Sequence, residues 1–173
     1  VSAHFKPITD KKELKRVKDK YQLPDQFFFF LGNTDPKKNT KGTLQAFSAF
    51  LKETGSNHKL VMLDYDQTEL TKLLNEIKNP ALIDSILLTG YVINTDLPAI
   101  YAQCDVFLYP SLREDPFKPE EITQGIIKIV NDESYKKSLC EKGLERSKQF
   151  SWHNMAKEYL KLYELIDSEN SKK

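Results

Sequence analysis

The sequence predicts an α/β fold, a doubly wound parallel sheet with helices on both faces, and three observations carry that prediction. Short apolar runs of strand length alternate with longer stretches whose apolar residues recur at helical spacing. The runs are apolar throughout rather than alternating, as strands covered on both faces are. The chain has 173 residues and is 39% hydrophobic, which suits one domain with a sizeable core and is short for two.

The predicted strands are Phe27 to Leu31, Leu60 to Leu63, Ile86 to Leu88 and Val106 to Tyr109. After the first, Leu44, Phe47 and Leu51 give one buried helix face; after the second, Leu70, Leu73, Leu74 and Ile77 give another. Leu97, Ile100, Tyr101 and Cys104 repeat the stripe before the fourth strand. Right-handed crossovers between parallel strands then make the sheet doubly wound and Rossmann-like. Further on, Pro119 suits a first helical position and Ile122, Ile126 and Ile129 follow it. Tyr135 to Gln149 reads as a polar helix with a few apolar anchors. Ser151 is placed to cap a last helix whose stripe is Met155, Tyr159, Leu162, Tyr163 and Ile166, a broad face that needs a partner surface. The tail, residues 168–173, is polar and is expected to fray.

Composition excludes several functions. With 26 basic and 25 acidic residues the formal net charge is +1, so no summed field draws the chain to nucleic acid or to an anionic membrane. Cys104 and Cys140 lack metal-ligand spacing and cannot form a disulfide framework, which fits a reducing, cytoplasmic setting. No apolar run approaches the length of a membrane span, so membrane contact is expected to be peripheral at most. Val1 neither opens a signal peptide nor is an initiator methionine, so the chain reads as excised from something longer or, equally, as processed or lacking its start. His4, His58 and His153 form no catalytic pair by proximity.

In a doubly wound sheet, ligands sit at the carboxyl ends of the strands, so the loops that follow them are where chemistry is sought. The first loop is Gly32-Asn33-Thr34-Asp35-Pro36-Lys37-Lys38-Asn39. Gly32 permits close approach, Lys37 and Lys38 bring positive charge, and the helix start near Asn39 to Gly42 offers free amides to an anion. The alternative is a solvated turn capped by Asn39; neither the P-loop nor the dinucleotide glycine pattern is present. The second is Thr89-Gly90-Tyr91-Val92, where a flat base would lie against backbone, or where the chain simply turns. The third is Tyr109-Pro110-Ser111-Leu112-Arg113-Glu114, whose hydroxyl and carboxylate suit sugar hydroxyls, or whose charges simply face solvent.

Taken in order, these segments resemble the group 1, or family 4, glycosyltransferases of GT-B architecture. The resemblance rests on Gly32 to Asn39, Gly90-Tyr91-Val92, Asp96-Leu97-Pro98-Ala99-Ile100-Tyr101, Cys104-Asp105-Val106-Phe107-Leu108-Tyr109-Pro110-Ser111-Leu112-Arg113-Glu114, Asp115-Pro116, Pro119-Glu120-Glu121-Ile122 and Phe150-Ser151-Trp152. Phe5-Lys6-Pro7 resembles the family's interdomain linker, so the resemblance covers nearly the whole chain. It implies that residues 1–20 are linker and lead-in and residues 21–167 the nucleotide-sugar donor-binding half of a GT-B enzyme, with the acceptor domain before Val1.

The sequence departs from the family at two points. Asn33 stands where some members carry an arginine that holds the donor diphosphate, which leaves the phosphate clamp to Lys38 and secondarily Lys37. Glu114 runs directly into Asp115, where the family has further text carrying a second glutamate. We expect that a segment of supersecondary size, about 30 residues or more, belongs between Glu114 and Asp115; a short connecting loop is the alternative.

The resemblance implies retaining transfer of a hexosyl group from a nucleoside-diphosphate sugar to an acceptor hydroxyl, in polysaccharide biosynthesis. Lys38 would stabilise the departing diphosphate and Glu114 would bind hydroxyls of the sugar. Gly32, Asn33, Lys37, Tyr91, Val92 and Ser111 would complete the donor site. The nucleotide sugar is substrate, and neither a cofactor nor a metal is expected. The acceptor, a glycan or a lipid-linked sugar, would be held by the preceding domain, so this chain alone should lack activity. Two rival readings remain: a non-catalytic interaction module that kept the fold, and another GT-B enzyme such as a nucleotide-sugar epimerase.

Overall fold

The computed structural model describes residues 5–32, 34–112 and 118–170, the last three by their backbone only. The chain divides into two compact units, Lys6–Asp132 and a second that holds the two C-terminal helices.

The first unit opens with a helix, α1 (Lys11–Tyr21), inside the stretch read as linker and lead-in. Asp10 caps it by accepting the Lys12 N–H at 2.9 Å, and Gln22 ends it in the left-handed region at φ 53. Leu14, Val17 and Tyr21 put its apolar side against the sheet. The rest follows the predicted alternation: β1 (Phe27–Phe30), α2 (Thr40–Thr54), β2 (Lys59–Met62), α3 (Gln67–Glu76), β3 (Ile86–Leu88), α4 (Leu97–Tyr101), β4 (Val106–Leu108) and α5 (Pro119–Asn131). All three pairings are parallel and the strand order is β3-β2-β1-β4.

The four phenylalanines of β1 supply both cores. Phe28 and Phe30 face Leu44, Phe47 and Phe50 of α2, Leu70 and Leu74 of α3, and Ile122 and Ile126 of α5. Phe27 and Phe29 face Val17 and Tyr21 of α1 and Ala99 and Ile100 of α4. None of the four is more than 1% exposed, and burial of each contributes about 1.5–3 kcal/mol. Helices therefore lie on both faces, and they do so in a pattern that matters for function. The crossovers through α2 and α3 run over one face and the crossover through α4 over the other. The winding changes face at β1, whose neighbours are β2 on one side and β4 on the other.

Two helices differ from the sequence reading. The stripe ending at Cys104 outlasts α4, which closes at Tyr101 in a tight turn; the Ala102 N–H donates to Pro98 O at 3.0 Å and the Gln103 N–H to Ile100 O at 3.1 Å. Asn39 does not cap α2 with its side chain, because it sits in the left-handed region at φ 57. Pro119 does begin α5, where the Glu121 carboxylate accepts the Lys118 N–H at 3.0 Å.

The second unit contains α6 (Glu133–Lys148), which buries no residue, and α7 (Trp152–Asn170). Ser151 caps α7 as expected, its hydroxyl accepting the Asn154 N–H at 3.0 Å. Among the described residues, no helix is long and apolar enough to cross a membrane.

Candidate functional site

The parallel pairing of β1 with β4 sets the loops after these two strands side by side, and the chain ties them together at two points. In the first loop a single turn of 3-10 helix, Pro36–Lys38, is fixed at its start by Asp35, whose carboxylate accepts the Lys37 N–H at 3.0 Å. The Lys37 carbonyl accepts the Leu112 N–H of the other loop at 2.8 Å. Next to this tie, Lys38 Nζ donates to the Tyr109 hydroxyl at 2.5 Å and lies 4.5 Å from the centre of its ring. Tyr109 is 46% exposed and stacks on Phe107 at 6.0 Å; Phe107 in turn packs on Phe29 and Tyr101. Ser111 is buried beside them and donates its N–H to Tyr109 O at 2.9 Å.

Thus Lys37, Lys38 and Ser111 stand on neighbouring loops at the point where the winding changes face. Lys37 is exposed and Lys38 half-buried. Gly32 has a more local reason than ligand approach: a Cβ there would lie 2.0 Å from the Phe30 ring. The Asn39 side chain folds over Gly42, where a Cβ would meet its Oδ1 at 2.4 Å, and its Nδ2 is buried with no hydrogen-bond partner among the described residues. Asn33, Glu114 and the junction of Glu114 with Asp115 lie outside the described residues.

Tyr91 and Val92 stand elsewhere, on the loop after β3, with β2 and β1 between that strand and β4. Tyr91 is 72% exposed, whereas Val92 is buried in the core under α1 and α4. The loop is tied to the end of β2 by the Asp64 N–H, which donates to Gly90 O at 3.0 Å.

Sequence reasoning gave no role to Asp96. Its carboxylate is 1% exposed and accepts from Arg16 at 2.5 Å, Lys20 at 2.8 Å and the Tyr21 hydroxyl at 2.8 Å. Burial pushes its pKa up, and the hydrogen bonds from Lys20, Arg16 and Tyr21 more than reverse this, holding it at about 2 against an ordinary 3.8. The signal in the sequence was Arg16, Lys20 and Tyr21 on one side of a helix. His58 is likewise buried, stacked 4.8 Å from Phe28. Its Nδ1 meets Ser56 Oγ at 2.5 Å and its Nε2 lies 3.4 Å from the Asp105 carboxylate. This group stands at the amino ends of β2 and β4, the opposite end of the sheet from Lys38.

A lysine beside the start of a long helix, with a serine on the neighbouring loop, is suited to an anionic ligand bearing hydroxyl groups. Comparison with known proteins gives the family. Residues 10–117 match the family described as glycosyl transferases group 1. The chain is 27% identical over 186 residues to the O-antigen chain mannosyltransferase B of Escherichia coli, an alignment covering 87% of this chain and 49% of that protein. It is 26% identical over 182 residues to the serotype-specific mannosyltransferase WbdA of Escherichia coli, covering 84% of this chain and 22% of that one. The chain thus spans about half or less of the length of these relatives. Among solved structures it is similar to WaaG, a glycosyltransferase involved in lipopolysaccharide biosynthesis, with a TM-score of 0.59 at 12% identity, over 78% of this chain and 45% of that one. At that identity the likeness establishes the fold alone.

Proposed function

The chain belongs to the group 1 glycosyltransferases, and on that premise we propose that it is the donor-binding half of an enzyme that transfers a hexosyl group from a nucleoside-diphosphate sugar to an acceptor hydroxyl with retention of configuration. One observation carries the reading: Lys38 and the Tyr109–Ser111 loop, 71 residues apart at the Lys38–Tyr109 contact, come together at the β1/β4 switch point.

The chemistry asks for this. When the glycosidic bond of the donor breaks, negative charge grows on the departing diphosphate. A lysine and helix-start amides aimed at that oxygen bind the transition state more tightly than the ground state. Lys38 takes that role with the first turn of α2, and Lys37 adds to the field. Ser111 on the facing loop, with Glu114, binds hydroxyls of the sugar. Tyr91, largely exposed beside the open backbone at Gly90, is the side chain of its loop available to a base. The names of the relatives make mannosyl the first sugar to test. The acceptor, a glycan or lipid-linked sugar, is held by a domain other than this one, in polysaccharide biosynthesis at the cytoplasmic side.

Calorimetric titration of the chain with GDP, UDP and ADP in turn tests the donor site. Lys38→Ala should weaken the tightest of these about tenfold or more, the equivalent of about 1.4 kcal/mol. Lys41→Ala, which removes an exposed ion pair with Glu76 on the next helix, should change it less than about twofold. Equal effects of the two substitutions would sink the phosphate clamp, and sugar transfer by the isolated chain would sink its assignment as the donor half.

A further inference from the structure

We propose that Tyr109 is a positioning residue for Lys38, setting where the ammonium group stands. This rests on the donor-site reading above and adds to it a residue to which that reading gave no role.

Lysine is a poor device for a fixed geometry, because its charge rides on a flexible four-carbon stem that loses rotamer entropy when held. Lys38 leaves a loop of one helical turn, so the backbone alone does not aim it. Two ties do. The Leu112 N–H to Lys37 O bond locks the backbone of the two loops together, and the Tyr109 hydroxyl, 2.5 Å from Nζ, takes one of the three ammonium donors. The acceptor is neutral. A carboxylate in its place would cancel the charge that a diphosphate needs, whereas a phenol oxygen fixes direction and leaves the charge and the other two N–H donors for a ligand. Tyr109 is itself anchored: its ring stacks on Phe107, which packs on Phe29 of the central strand and on Tyr101 at the end of α4. The position of Lys38 is thereby referred to the sheet rather than to its own loop.

The test is a double-mutant cycle on the 173-residue chain, read by titration with whichever of GDP, UDP and ADP the parent binds most tightly, with thermal unfolding of every variant in parallel. Tyr109→Phe keeps the ring and the stack and removes only the acceptor oxygen. It should weaken binding about threefold to tenfold with an unchanged melting temperature, and it should have no effect, within about twofold, when Lys38 is already alanine. Tyr109→Phe binding like the parent while Lys38→Ala binds weakly would overturn the proposal and spare the donor site. Additive losses in the double variant would also overturn it, since Tyr109 would then act on the ligand by itself. A parent that binds none of the three, or a Lys38→Ala that binds like the parent, removes the donor-site reading and the proposal with it.

Discussion

Asp96 and Lys38 both stand where the chain leaves a strand of the same sheet for a helix, and the protein treats their charges in opposite ways. Asp96 is buried, and three donors from α1 saturate it. Lys38 is half-buried and, among the described residues, donates to one neutral hydroxyl, that of Tyr109. The first charge is spent on holding α1 to the turn that starts α4. The second, among the described residues, meets a neutral acceptor that gives it direction without cancelling its charge. Burial and saturation therefore separate a carboxylate that serves the fold from a lysine that we propose serves a ligand.

The contrast can be broken by experiment. Asp96→Ala should lower the stability of the chain by about 2–3 kcal/mol in urea unfolding, less than a fully buried pair would lose because Arg16 and Lys20 keep about half their exposure. A loss below about 0.5 kcal/mol would mean that the ties to α1 are ornamental. The pH dependence has a definite sign. The folded pKa of Asp96 lies below its unfolded value, so its contribution is complete above about pH 4 and is lost as the pH falls toward about 2. The gap in stability between the parent and Asp96→Asn should thus shrink by about 2 kcal/mol across that window; a constant gap would deny that the ionised carboxylate is what α1 binds. Arg16→Ala should cost about 1 kcal/mol, since Lys20 and Tyr21 still satisfy the carboxylate. Lys38→Ala should move stability by less than about 0.5 kcal/mol while nucleotide binding falls. A larger loss of stability there would erase the distinction between the two sites.

Much of this was legible in the sequence because strands buried on both faces announce themselves: the runs around Phe27, Leu60, Ile86 and Val106 are each displaced from the observed strands by a residue at most. Helix α1 was passed over although Leu14, Val17 and Tyr21 have helical spacing, because Phe5-Lys6-Pro7 resembles an interdomain linker and residues 1–20 were read as linker and lead-in. Lys38 and Ser111 were singled out from their loops, but Tyr109 was given no role. Its contact with Lys38 depends on which loop faces which, and that follows from strand order, which no local pattern encodes. Asn39 was expected to cap α2, as its residue type favours; its left-handed backbone turned the side chain over Gly42 instead. Asp96 was visible within its motif, yet a partner set lying 75 to 80 residues away could not be seen from there.

The strand order also governs time. Phe28 pairs with Leu60 on one side of β1 and with Val106 on the other, a partner more than twice as far along the chain. Each doubling of a closed loop costs about 0.6 kcal/mol more in chain entropy, and distant pairings form slowly. The β1-α2-β2 unit can assemble from neighbouring chain, while the two loops come together only once β4 has docked against its first partner. Any ligand that needs both loops is therefore a probe of completed folding, since it finds nothing to hold in a molecule whose fourth strand is still in search of its place.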